Sequence, residues 1–244
     1  MRSIRIHVDL PLAAGAEVAL PAQAGEHVAR VLRLTAGDPL TLFNGDGADY
    51  GATITSVGKR EVLVQVLHRQ AADRESPLRL TLAQGVARGE KMDLIVQKAT
   101  ELGVARIVPL LTERSEVKLD AARAEKRLAH WRAVAASACE QCGRARLPEI
   151  LPAQALSAWL ATLDGDAALR LALLPEAAAA ARELRPGGDG ALLVVGPEGG
   201  LGERDIAQLG EAGFTGLRLG PRILRTETAG LAALAALQAL HGDF

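Results

Sequence analysis

The chain has 244 residues, 49% of them apolar and 23% charged, a composition that excludes a disordered or fibrous protein. Its length suits a small domain followed by one of roughly 150 residues. A net charge of −1 argues against indiscriminate nucleic-acid binding, two cysteines are too few for a disulfide framework or a four-cysteine zinc site, and no apolar run is long enough to cross a bilayer. The start, Met1 to Asp9, also lacks the apolar stretch of a signal segment, so a cytoplasmic protein with no membrane partner is expected.

In chain order, the first seventy residues read as short strands. Ile4 to Val8 alternates apolar and polar residues, Pro39 to Phe43 and Ala52 to Val57 do so less cleanly, and Glu61 to Leu67 is a further strand. A short helix is expected over His27–Leu32, and Asn44-Gly-Asp-Gly47 suits a tight hairpin. These pieces predict a small β-barrel over residues 1–72. The polar stretch Gln70 to Pro77 carries no periodicity and is assigned as the linker.

From residue 76 to 244 strands alternate with helices, the pattern of a mostly parallel sheet covered on both faces, so the overall class is α/β. Strands are expected at Leu80–Gln84, Arg106–Leu110, Leu169–Leu174, Leu192–Gly196 and Gly216–Leu219. A helix over Glu90–Leu102 carries the stripe Met92, Ile95, Val96, Ala99, Leu102 and ends at Gly103. Another starts near Asp120 and buries Leu128, Trp131, Val134, Ala135 and Ala138. Ala177–Arg182 reads as an alanine-rich helix, one starts at Glu203, and the last covers Ala229–Leu240.

Charge is uneven along the chain. Residues 76–150 hold 13 Lys and Arg against 9 Asp and Glu, whereas residues 151–244 hold 7 against 11. A basic middle leaves RNA open as a partner. A solvated helix face around Arg123, Lys126, Arg127 and Arg132 explains the same charges.

Two segments carry chemistry. Gly196-Pro-Glu-Gly-Gly-Leu-Gly202 follows a strand and precedes a helix, where glycines let a ligand approach the backbone; a plain strand-to-helix turn is the alternative. It is neither a Walker loop nor a Gly-x-Gly-x-x-Gly turn. The second segment runs Leu219-Gly-Pro-Arg-Ile-Leu-Arg-Thr-Glu-Thr-Ala229. Capping by Thr226 or Thr228, with Glu227 at the positive helix end, explains its close. It does not explain Ile223 and Leu224 set between Arg222 and Arg225, a mixture that suits a cofactor with a flat apolar base and a polar tail.

Together these two segments resemble the last motifs of SPOUT-class methyltransferases, specifically the enzymes that methylate N3 of a uridine in 16S ribosomal RNA. Gln97-Lys-Ala-Thr-Glu-Leu-Gly103, Glu113-Arg-Ser115, Glu140-Gln-Cys-Gly-Arg144 and His27-Val-Ala-Arg-Val-Leu-Arg33 are similar to that family in the same order. Cys142 departs from it, standing where a small hydroxyl residue is common. The resemblance implies a PUA-like amino-terminal barrel, then a SPOUT domain threaded as a trefoil knot, and a homodimer. It implies S-adenosylmethionine as cofactor, held by Leu173, Gly196, Pro197, Gly200, Leu219, Gly220, Ile223 and Leu224. The substrate it implies is a specific uridine in the decoding region of 16S ribosomal RNA, in the small ribosomal subunit.

Uridine N3 must lose a proton while attacking a sulfonium methyl, and negative charge then spreads to the flanking carbonyl oxygens. Arg114 and Arg225 are the expected cations and Glu198 the expected base or cofactor-amine partner. A surface ion pair with Glu113 or Glu116 is the bland reading of Arg114. With six aromatic residues there is little stacking platform beyond Phe43 and Tyr50. RNA contact is therefore expected through phosphates, led by Arg30, Arg33, Arg88 and Lys91.

Three alternatives remain open. A SPOUT ribose 2′-O-methyltransferase would share the cofactor fold, a noncatalytic RNA-binding protein would not bind the cofactor, and a thiol oxidoreductase would use Cys139 and Cys142. The cysteines fall late in a helix, where thiolates are not stabilised. The five histidines are scattered, so no metal is expected.

Overall fold

Strand alternation in the amino-terminal segment sorts side chains onto two faces of a sheet. Its elements are β1 (Arg5–His7), β2 (Glu17–Ala19), α1 (Ala22–Glu26), a π-helical turn (His27–Val31), β3 (Pro39–Phe43), β4 (Ala48–Val57) and β5 (Val62–Ala71). The sheet order is β1-β3-β4-β5-β2, antiparallel except between β1 and β3. In β4 the buried residues are Ala48, Tyr50, Ala52 and Ile54, and in β5 Val62, Val64 and Val66, so every second side chain enters a core shared with Ile6, Leu40 and Leu42. Each such Ile, Leu or Val contributes about 1.5–3 kcal/mol by burial.

The expected helix at His27–Leu32 starts earlier, at Ala22, and closes with a wide turn in which Leu32 N–H reaches His27 O (3.0 Å). The expected linker is not free chain. Strand β5 runs through Gln70 and Ala71, the Arg74 side chain donates to Gly143 O (2.6 Å), and Glu75 pairs with the buried Arg144 (2.6 Å).

The computed structural model describes residues 4–117, 120–163, 169–177, 179–180 and 190–244. The chain divides into two units, Met1–Glu75 with Ala136–Leu147, and Ser76–Ala135 with Pro148–Phe244. A dozen residues from the middle of the sequence thus complete the first unit, which a single boundary near residue 75 does not anticipate.

The second unit contains β6 (Leu80–Gly85), α2 (Lys91–Glu101), β7 (Arg106–Leu111), most of α3 (Ala121–Cys142), β8 (Glu149–Ile150), β9 (Gln154–Ala155), α4 (Leu156–Leu160) and β10 (Leu169–Leu173). It continues with β11 (Ala179–Ala180), β12 (Ala191–Val195), α5 (Glu203–Glu211), β13 (Thr215–Arg218) and α6 (Thr226–His241). The strands pair in parallel in the order β11-β13-β10-β12-β6-β7-β8, with β9 also on β7. All five residues of β12 are buried. Leu193 and Val195 pack with α2 and α6, while Leu192 and Val194 pack with α4 and α5, which is why a strand covered on both faces reads as an unbroken apolar run.

The apolar stripe of α2 is buried as expected at Met92, Ile95, Val96 and Ala99, with Leu102 half-buried beyond the helix. Trp131, Ala135 and Ala138 of α3 are buried, and Leu128 and Val134 half-buried. The alanine-rich helix expected at Ala177–Arg182 is corrected in part. Ala179–Ala180 is a strand paired with β13, because ladder bonds to an open strand edge outweigh alanine's helical preference; residues 178 and 181–182 lie outside the described residues. No helix among the described residues is long and apolar enough to cross a membrane.

Candidate active site

Parallel strands deliver their carboxyl ends to one edge of a sheet, and ligands of open α/β sheets bind beyond that edge. Here β10 lies between β12 and β13, so Leu173, Val195 and Arg218 end side by side. The loops that leave β12 and β13 are the two segments singled out in the sequence. Together with the end of β10 they enclose a cavity of about 620 Å³, within the usual range for small-molecule sites.

All eight expected cofactor residues line this cavity: Leu173, Gly196, Pro197 and Gly200 on one part, Leu219, Gly220, Ile223 and Leu224 on the other. Ile223 is 84% exposed, so it offers the cavity an uncovered apolar surface. Gly200 and Gly220 have φ of 72° and 76°, a left-handed backbone that favours glycine, and an added Cβ at either would meet no protein atom within 4 Å. The room is there for a ligand against bare backbone.

The three expected catalytic residues also line the cavity. Arg114 sits in a turn closed by Ser115, whose Oγ accepts from Thr112 N–H (2.9 Å), and its guanidinium donates to Gly199 O (3.2 Å). The neighbouring Glu113 fixes that turn against α5: its N–H donates to the buried Asp205 carboxylate (3.1 Å), and its own carboxylate accepts from Arg204 N–H (3.1 Å). Asp205 also accepts from Gly202 N–H (2.9 Å). The bland reading of Arg114, an ion pair with Glu113 or Glu116, does not occur among the described residues; Glu116 pairs with Arg88 instead.

Glu198 accepts from Arg88 N–H and from Lys91 Nζ, both at 3.1 Å. Partial burial pushes its carboxyl upward, but these bonds and one from its own N–H outweigh it and hold the group below its ordinary range. A carboxylate so stabilised is a weak proton acceptor. Arg225 is the exposed residue before α6, and its carbonyl accepts from Thr228 and Ala229 N–H (2.9 and 2.8 Å).

The four expected RNA-contacting residues divide between the two units. Lys91 lines the cavity and Arg88 stands beside it through Glu198. Arg30 and Arg33 belong to the first unit, where Arg30 pairs with Glu26 (2.6 Å) and Arg33 takes a left-handed backbone (φ 56°) after the π-helical turn. Among the described residues no group of three His, Cys, Asp or Glu could hold a metal ion. Cys139 is fully buried, and its hydrogen bond with Cys142 together with burial pushes its thiol far up, against a reactive thiolate.

Sequence reading missed the tie between the two loops. Thr226 Oγ1 donates to Gly196 O (2.6 Å) and accepts from Gln84 Nε2 (2.9 Å), and Gln84 is wholly buried at the end of β6. The signal was a lone amide closing the strand Leu80-Thr-Leu-Ala-Gln. The sequence offers Thr226 or Thr228 as a helix cap; the cap position is instead taken by Arg225, with no side-chain cap bond.

Residues 74–238 match the family described as RNA methyltransferase domain, and residues 20–67 match the RNA methyltransferase PUA domain. The chain is 32% identical over 240 residues to ribosomal RNA small subunit methyltransferase E of Buchnera aphidicola subsp. Schizaphis graminum, covering 98% of this chain and 97% of that one. To the Bacillus subtilis protein of the same name it is 34% identical over 231 residues, 89% of each chain. The chain belongs to this methyltransferase family. The family's ribosomal RNA small subunit methyltransferase E from Neisseria gonorrhoeae, solved bound to S-adenosylmethionine, superposes with a TM-score of 0.95 at 40% identity over the whole of both chains. A methyltransferase from Legionella pneumophila, also solved with S-adenosylmethionine, gives the same TM-score, identity and coverage.

The residues present in this family member fit such a cofactor. Leu173, Leu219, Ile223 and Leu224 supply apolar surface for a flat base, Gly200 and Gly220 leave backbone open, and a buried Glu227 oxygen in the cavity wall has no hydrogen-bond partner among the described residues.

Proposed function

We propose that this chain methylates N3 of a specific uridine in the decoding region of 16S ribosomal RNA, with S-adenosylmethionine as methyl donor. The observation that carries this reading is the single cavity formed by both family motifs at the carboxyl edge of the sheet. When bound, the cofactor supplies an electrophilic methyl on a sulfonium, so the protein's own task is to orient the acceptor and manage its proton.

Leu173, Leu219, Ile223 and Leu224 would hold the flat base, with the backbone at Gly196, Pro197, Gly200 and Gly220 lining the rest of the site. Arg114, held by the Glu113 and Asp205 bonds, and Arg225 stabilise the charge that develops on the uridine carbonyl oxygens as N3 gives its proton to solvent water. Glu198 keeps Lys91 and the Arg88 backbone in place, a role that suits its lowered proton affinity better than proton removal does. Arg30, Arg33, Arg88 and Lys91 meet phosphates, which makes binding fall as salt rises. The working protein is a cytoplasmic homodimer with a PUA-like domain over residues 1–72 and a knotted SPOUT domain over residues 76–244. Helix α6 packs on β6 and β12.

The test is to incubate the protein with S-adenosylmethionine and small subunits lacking the modification, digest the RNA and weigh the nucleosides. The expected product is 3-methyluridine. A ribose-methylated nucleoside would contradict the acceptor atom, and no methylation would contradict the activity.

A further inference from the structure

Two carboxylates line the cavity among five cationic side chains, Lys91, Arg114, Arg218, Arg222 and Arg225. Glu198 has its donors in Lys91 and the Arg88 backbone. Glu227 does not. It lies half-buried in the first turn of α6, and its Oε2 is shut off from solvent without a hydrogen-bond partner among the described residues. None of the five cations forms an ion pair with it there.

A buried acceptor with no donor is rare in folded proteins and marks an absent partner. Glu227 stands at the amino end of a sixteen-residue helix, a place that suits a negative side chain. A cation brought by the ligand would supply the partner. S-adenosylmethionine carries two, a sulfonium and an ammonium, and the protein's own cations leave this one carboxylate unclaimed.

We infer that Glu227 is the counter-charge for the cationic end of the cofactor, a role that rests on reading the cavity as the S-adenosylmethionine site. It binds and takes no proton. Glu198, the acidic residue that stands out in the sequence, instead latches Lys91. The arginines stay available for RNA phosphates and for the uridine oxygens.

Calorimetric titration of the full chain with S-adenosylmethionine and with S-adenosylhomocysteine, which keeps the ammonium but lacks the sulfonium charge, tests this. Glu227→Gln is expected to weaken S-adenosylmethionine at least tenfold while the ligand-free melting temperature stays within a few degrees of wild type. An equal loss for both ligands assigns Glu227 to the ammonium, and a loss confined to S-adenosylmethionine assigns it to the sulfonium; either supports the proposal. Glu227→Asp keeps the charge and should bind more tightly than Glu227→Gln, so an Asp variant no better than Gln overturns the role of charge. Unchanged affinity in Glu227→Gln, with or without lost turnover, overturns the assignment. A wild-type chain that does not bind S-adenosylmethionine overturns the cofactor reading itself.

Discussion

Four arginines of the first unit and those of the cavity do different work. In the first unit Arg5, Arg69, Arg74 and Arg144 all face carboxylates, and the side chains of Arg5 and Arg144 are at most 10% exposed. Arg5 also lies over the Phe43 ring, 4.7 Å from its centre, and Arg144 joins the carboxyl end of α3 to Glu75. In the cavity wall Arg114 bonds only a backbone carbonyl, and Arg218, Arg222 and Arg225 form no ion pair among the described residues. Paired and buried, an arginine is part of the scaffold; unpaired at the edge of a cavity, it keeps its charge for a ligand.

Substitutions can break this contrast. The largest expected effect is Arg144→Ala, which leaves Glu75 without its partner and should destabilise the protein by about 3 kcal/mol, the low end for a buried pair because Glu75 retains some solvent. Chemical denaturation checks this; a change within about 0.5 kcal/mol, as for an ordinary surface site, would erase the distinction. Next is Thr226→Val, which removes the hydroxyl joining the two loops and leaves the Gly196 carbonyl with the longer Gln84 bond (3.3 Å) alone. A loss of about 1–3 kcal/mol is expected, with Thr226→Ser close to wild type in thermal unfolding.

Arg114→Ala should do the converse. Turnover should fall at least tenfold, ~1.4 kcal/mol of barrier, while unfolding stays within about 0.5 kcal/mol of wild type. Single-turnover methylation and melting, measured side by side, separate the two. The smallest effect concerns pH. Glu198 has its carboxyl held below the ordinary range, so the folded state releases that proton more readily than the unfolded chain. Its contribution is present above the ordinary carboxylate pKa and is lost as pH falls through the lowered value. The pair with Lys91 is partly exposed, so the loss should be slight. Glu198→Gln should flatten the acid side of the stability curve slightly, and an unchanged curve would remove the latch.

Much of the fold was legible because periodicity survives in local sequence. The five main parallel strands and the stripe of α2 were read within a residue or so, since burial on two faces or one face writes itself into consecutive residues. Short pairings such as β2, β8, β9 and β11 were not legible, because two or three residues carry no period and are held by partners distant in the chain. The return of Ala136–Leu147 to the first unit was hidden for the same reason. In the cavity, glycine and apolar residues stood out as unusual for a connecting loop. Gln84 did not, since one amide in a strand signals nothing until its neighbours in space are known. Glu227 was visible but had a sufficient explanation as a helix-end charge. Only its unpartnered oxygen gave it another role.

The central claim is that the two loops enclose a cofactor site, and titration of S-adenosylmethionine into the wild-type chain and into Leu224→Arg tests it most directly. The account predicts saturable binding of one cofactor per wild-type chain and none in Leu224→Arg, with the variant still folded. Undiminished binding in that variant would contradict it.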